Sequence, residues 1–123
     1  MSGVLVALGI GAAGGLGAAA RYLLDQGVPE RWRKRFPWGI LVVNLSGSFA
    51  LGVVTGAALA EPLTAILATG FLGGYTTFST ASLDTVRLFR ERRFGAALLN
   101  GLGMLCATIG LAVLGIILGT PLG

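Results

Sequence analysis

The chain has 123 residues, 54% hydrophobic and 11% charged, with 21 glycines and a mean hydropathy of +0.85. Ordinary soluble domains are about 25% charged, and a disordered chain is far less apolar. With no His and a single Cys, Cys106, the chain lacks an internal disulfide, the usual zinc and haem ligand sets, and the Ser-His and Cys-His nucleophile pairs. What remains is a small membrane protein without catalytic chemistry, not an enzyme.

Residues 2–20, 36–60, 62–83 and 94–123 carry no charge. A helix needs about 20 apolar residues to cross the hydrocarbon core of a bilayer. The charge map therefore predicts an all-α membrane protein: one domain over residues 1–123, with transmembrane helices at 3–25, 38–60, 62–90 and 94–118. No basic segment precedes the first run, which sets it apart from a cleaved signal peptide. That first helix carries Gly11 and Gly15, four residues apart. The second carries Ser48, Gly52 and Gly56 at the same spacing. Small residues repeating this way let helix backbones approach closely in lipid. Asn44 lies one turn before Ser48 on the same face, whereas Ser46 points elsewhere. Two readings of Asn44 stand: an interhelical hydrogen bond, or a donor to a ligand.

The third helix reads Gly70-Phe71-Leu72-Gly73-Gly74-Tyr75-Thr76-Thr77-Phe78-Ser79-Thr80-Ala81-Ser82. Two adjacent glycines weaken it near its middle, and Thr76 or Thr77 can cap a new helical start. A break there exposes carbonyls at the end of one half-helix and N–H groups at the start of the next, suiting a cation and an anion respectively. The other reading is a kinked helix with no ligand. The fourth helix repeats the motif of a lone amide with Asn100, followed by Thr108 two turns on.

All nine basic residues, Arg21, Arg31, Arg33, Lys34, Arg35, Arg87, Arg90, Arg92 and Arg93, belong to the connections 1–2 and 3–4 or the helix ends beside them. The other face carries only Glu61. Lys and Arg in short loops mark the cytoplasmic side, so both termini are expected outside a cell inner (plasma) membrane. Topology accounts for Arg31–Arg35 without a nucleic-acid partner, and the run also suits anionic lipid. No Asp or Glu lies in the middle of a span, which removes the titratable group of a proton-coupled carrier. Hydroxyls, amides and aromatic ring edges are donors, and donors without acids suit a small anion.

Three stretches carry a family resemblance: Gly14-Gly15-Leu16-Gly17-Ala18 leading to Arg21-Tyr22; Gly39-Ile40-Leu41-Val42-Val43-Asn44 leading to Gly47-Ser48-Phe49; and 70–80. Together they make the chain similar to the small fluoride channels (Fluc, also called CrcB). The resemblance implies four helices with the third broken, an antiparallel dimer, and two narrow pores that pass fluoride passively and so lower cytoplasmic fluoride. It implies a structural sodium ion at the dimer centre, held by backbone carbonyls of Gly73 and Thr76. The fluoride path is expected along Asn44, Ser48, Phe78, Thr80 and Ser82, with Arg21 near the pore mouth. Two departures stand out. Ala81 replaces a second phenylalanine, and Asn100 and Met104 occupy places where the family carries a tyrosine and a serine. The alternative is a non-conducting structural subunit that completes a partner's channel. The one-sided charge predicts that the chain inserts one way and pairs with an oppositely oriented paralogue, otherwise with itself.

Overall fold

The computed structural model describes residues 2–123. The Ser2 hydroxyl accepts the Leu5 N–H and so caps α1, Gly3–Gln26. A short helix, α2 (Glu30–Arg33), interrupts the basic connection, and α3 runs Trp38–Ala57. Ala58 then takes a left-handed conformation, with φ of 50°, and ends α3 three residues short of the span that hydropathy predicts. The stretch 65–75, here α4, consists of wide π-helical turns over Ala65–Leu72 continued by Gly73–Tyr75. Thr76 and Thr77 are extended, and α5 covers Phe78–Arg90. The last helix, α6, is Phe94–Leu122, with a π-helical turn at Leu99–Gly103 and a tighter end at Thr120–Leu122. No strand occurs among the described residues.

Of these helices α1, α3 and α6 are long and apolar enough to cross a membrane, with mean hydropathies of 1.8, 1.8 and 2.4 over their best windows. At 1.5 Å rise per residue α4 and α5 are only about 16 and 20 Å long. The third predicted helix is therefore broken, but not at its double glycine. The helix passes through Gly73 and Gly74 and stops at Thr76, two residues later. Gly74 is needed for a different reason, since a Cβ there would land on the Gly14 carbonyl of α1. Gly17 likewise faces the Phe71 carbonyl, so α1 and α4 touch backbone to backbone.

The largest helix contact is α3 on α6. Here glycines interlock from both sides: a Cβ on Gly52 would strike the Ala112 carbonyl, and one on Gly115 the Phe49 carbonyl. Gly56 and Gly119 repeat the arrangement one turn on. Among the described residues no glycine has a positive φ, so these residues supply close approach and not unusual backbone angles. The expected Gly11–Gly15 stripe does not pack within the chain; both positions face open space.

Phe36, Leu88 and Ala97 form a buried cluster that ties the connection after α2 to the end of α5 and the start of α6. The two basic connections thus share one end of the molecule. At the other end Gly123 sits against Ala57, close to Glu61.

Candidate functional site

The break between α4 and α5 is held by a side chain from α3. Asn44 Nδ2 donates to the Thr77 carbonyl at 2.8 Å, and the Thr77 N–H donates to Asn44 Oδ1 at 2.8 Å. The amide therefore pairs with both backbone groups of one extended residue. The same Nδ2 also reaches Met104 Sδ on α6 at 3.3 Å. This is the interhelical reading of Asn44. The second N–H meets only a thioether, a weak acceptor.

Thr77 in turn caps α5. Its Oγ1 accepts the Thr80 N–H at 3.1 Å and lies 3.3 Å from Thr80 Oγ1. The consequence for the backbone follows by counting. In an unbroken helix the Thr77 N–H would bond the Gly73 carbonyl, and the Thr80 N–H the Thr76 carbonyl. Both donors are diverted to side chains, and no backbone bond joins the start of α5 to α4, so all four carbonyls of residues 73–76 lack their helical partners. Carbonyl oxygens at a helix end suit a cation, and Gly73 and Thr76, the two that the family resemblance implies, are among them.

Beside the break lies an open groove of about 340 Å³ between α3, α4, α5 and α6. It gathers Asn44, Ser48, Gly73, Thr76, Phe78 and Ser82 into one lining. None of the lining residues is charged. Ser48 and Ser82 are half-buried there, with hydroxyls that make no hydrogen bond to another described residue. Phe78 is 88% exposed, so a large ring stands out from the chain at the lip of the groove. Thr80 faces Thr77 instead of the groove, and Arg21 is half-buried on α1 away from its lining.

Ala81 is buried against Ile40 and Met104, and the flexible Met104 side chain fills space beside the small residue. Asn100 is only 1% exposed. Its Nδ2 donates to the Ala81 carbonyl at 3.3 Å and to Thr85 Oγ1 at 2.9 Å. Thr85 Oγ1 spends its own proton on the Ala81 carbonyl, which fixes the orientation of the amide. Asn100 Oδ1 is left buried without a partner. Thr85 was not singled out from the sequence, although it lies three and four residues after Ser82 and Ala81 on the same helical face. Asn44 and Asn100 thus act alike, each tying α5 to a neighbouring helix.

The family described as "CrcB-like protein, Camphor Resistance (CrcB)" matches residues 8–119. The chain is similar to "Fluoride-specific ion channel FluC 1" of Leifsonia xyli subsp. xyli, with 51% identity over 119 residues, covering 94% of this chain and 87% of the relative. It is 47% identical to "Fluoride-specific ion channel FluC 2" of Cutibacterium acnes over 115 residues, 88% of this chain and 92% of the relative. A protein of the same name from Mycolicibacterium paratuberculosis is 45% identical over 100 residues, 81% of this chain and 82% of the relative.

Proposed function

The chain belongs to the CrcB-like family, and on that premise we propose that it is a passive, fluoride-selective channel that lowers cytoplasmic fluoride. The observation that carries the reading is the uncharged, donor-bearing groove beside the helix break. A small anion leaving water needs donors at fixed positions, and a narrow path that only a compact ion stripped of its strongly held water fits discriminates by size and donor geometry. Ser48 and Ser82 offer free hydroxyls, Asn44 the N–H now facing Met104 Sδ, and Phe78 its electropositive ring edge. Thr80 contributes by holding the cap on α5. Arg21 raises anion concentration outside the groove. That curated relatives carry the name of a channel favours conduction over the structural-subunit alternative.

In this reading α4 and α5 together form one crossing, giving four, and the groove is closed by a second chain. The exposed Phe78 and the openness of the groove support such a partner. The dimer is antiparallel. The released carbonyls of Gly73 and Thr76 hold a sodium ion at its centre, which supplies positive charge and cross-links the two breaks without being transported. Nine basic residues at one end and none at the other favour a single orientation in the inner membrane, with both termini outside. The partner is then a related chain of opposite bias.

Fluoride-sensitive bacteria test this. The chain, with a reporter fused after Gly123, is expressed alone and together with a paralogue of opposite charge bias. The reading predicts a reporter found outside and fluoride tolerance restored by the pair. A reporter on both sides in similar amounts would restore a homodimer, and unrestored tolerance with the pair would remove the channel.

A further inference from the structure

A second groove, of about 900 Å³, lies at the basic end, away from the helix break. It is lined by Trp32, Trp38, Arg35, Arg93 and Gly95 toward the basic connections and by Val42 and Leu99 further along α3 and α6. Arg35 has no carboxylate within ion-pair distance among the described residues, and Arg93 has only a long contact of 3.9 Å to Glu91. Arg93 also precedes α6, and no side chain caps that helix. The N–H groups of its first turn therefore have no side-chain partner, and they add a partial positive charge to the end that carries Arg93 and lines the groove with Gly95. Gly95 leaves that turn uncovered, since a Cβ there would meet nothing within 4 Å.

Deeper in, the chemistry changes. Val42 lies one turn along α3 from Trp38, and Leu99 one turn along α6 from Gly95. Both line the groove and are 45% and 60% exposed. The groove thus runs from a cationic, aromatic mouth into an aliphatic floor about one helical turn below it. Trp rings sit at headgroup level in membranes, and arginine forks match phosphate oxygens. A free phosphate would leave the aliphatic floor empty, whereas a phospholipid with a net negative headgroup matches both parts. We infer that this groove is a binding site for an anionic phospholipid, with its phosphodiester between Arg35 and Arg93 and the start of an acyl chain along Val42 and Leu99. The site lies apart from the fluoride path and does not depend on it.

Both tryptophans of the chain line this groove, so lipid bound there is directly readable. The chain is placed in phosphatidylcholine nanodiscs that contain a small fixed fraction of dibrominated phosphatidylglycerol or dibrominated phosphatidylcholine, and tryptophan quenching is measured. Two arginines beside one anionic headgroup predict an association about thirtyfold stronger for phosphatidylglycerol. The double variant Arg35→Gln, Arg93→Gln should quench equally with both lipids. Equal quenching in the unmodified chain would overturn the proposal whatever the variant does. So would relief of the phosphatidylglycerol quench by inorganic phosphate, which would mark a site for the free ion, or a preference unchanged in a variant that retains its helical circular dichroism.

Discussion

Asn44→Ala removes the side chain that pairs with both backbone groups of Thr77. Thr77 is only 9% exposed and Asn44 7%, so water does not replace the lost partners. A buried donor or acceptor stranded this way costs about 1–3 kcal/mol. Partners available to an unfolded segment within the membrane reduce that figure, and the expected loss is about 2–3 kcal/mol for the two groups together. Asn44→Asp keeps an acceptor for the Thr77 N–H but turns a second oxygen toward the Thr77 carbonyl, where Nδ2 now sits at 2.8 Å. It also sets a negative charge beside the proposed anion path. Stability is read by unfolding in a denaturing detergent, order at the break by hydrogen exchange of the Thr77 amide, and transport by fluoride efflux from liposomes. The account predicts faster exchange at Thr77 in the Ala variant, where the acceptor is gone, and a larger loss of flux for Asp than for Ala. An Ala variant with unchanged stability and unchanged Thr77 exchange would refute the clamp. Equal flux in both variants would show that Asn44 does not face the ion.

Two other perturbations follow from the packing and the freed carbonyls. Gly52→Val drives a branched side chain into the Ala112 carbonyl, and separating α3 from α6 costs about 1–3 kcal/mol; Gly110→Val, which meets nothing within 4 Å, is the control, and equal stability of the two variants in detergent contradicts the crossing. Exchanging sodium for a large organic cation should lower the melting temperature of the proposed dimer, since an ion at a hundredfold excess over its Kd contributes about 2.7 kcal/mol; a melting temperature indifferent to the cation would remove the proposed sodium from Gly73 and Thr76.

Charge and hydropathy made α1, α3 and α6 legible, because an uncharged run of sufficient length has few alternatives, whereas the predicted span 62–90 is two shorter helices. The break was legible to within two residues. Hydroxyl caps are local signals, and Thr77 behaves as one. The double glycine misplaced the break because Gly74 answers to α1, a contact distant in sequence. Helix packing was the least legible part. Lipid tails are as apolar as a neighbouring helix, so hydropathy does not say which face is covered. Gly11 and Gly15 have the same spacing as Gly52 and Gly56, yet only the second pair meets backbone within this chain. The carbonyls of Gly73 and Thr76 were named from a family resemblance. Their release depends on Asn44 and Thr77 drawing N–H groups aside, a coupling between α3 and the break that only the three-dimensional arrangement reveals. The same holds for Asn100, whose unpartnered Oδ1 is defined by Thr85 and the Ala81 carbonyl.

The central claim is selective passive conduction, and ion efflux from loaded liposomes tests it most directly. Vesicles holding equal fluoride and chloride receive the chain together with a paralogue of opposite charge bias, and both anions are followed with ion-selective electrodes after a potassium ionophore sets the membrane potential. The account predicts rapid release of fluoride while chloride stays inside. Comparable release of chloride, or retention of fluoride by vesicles shown to contain the assembled pair, would contradict it.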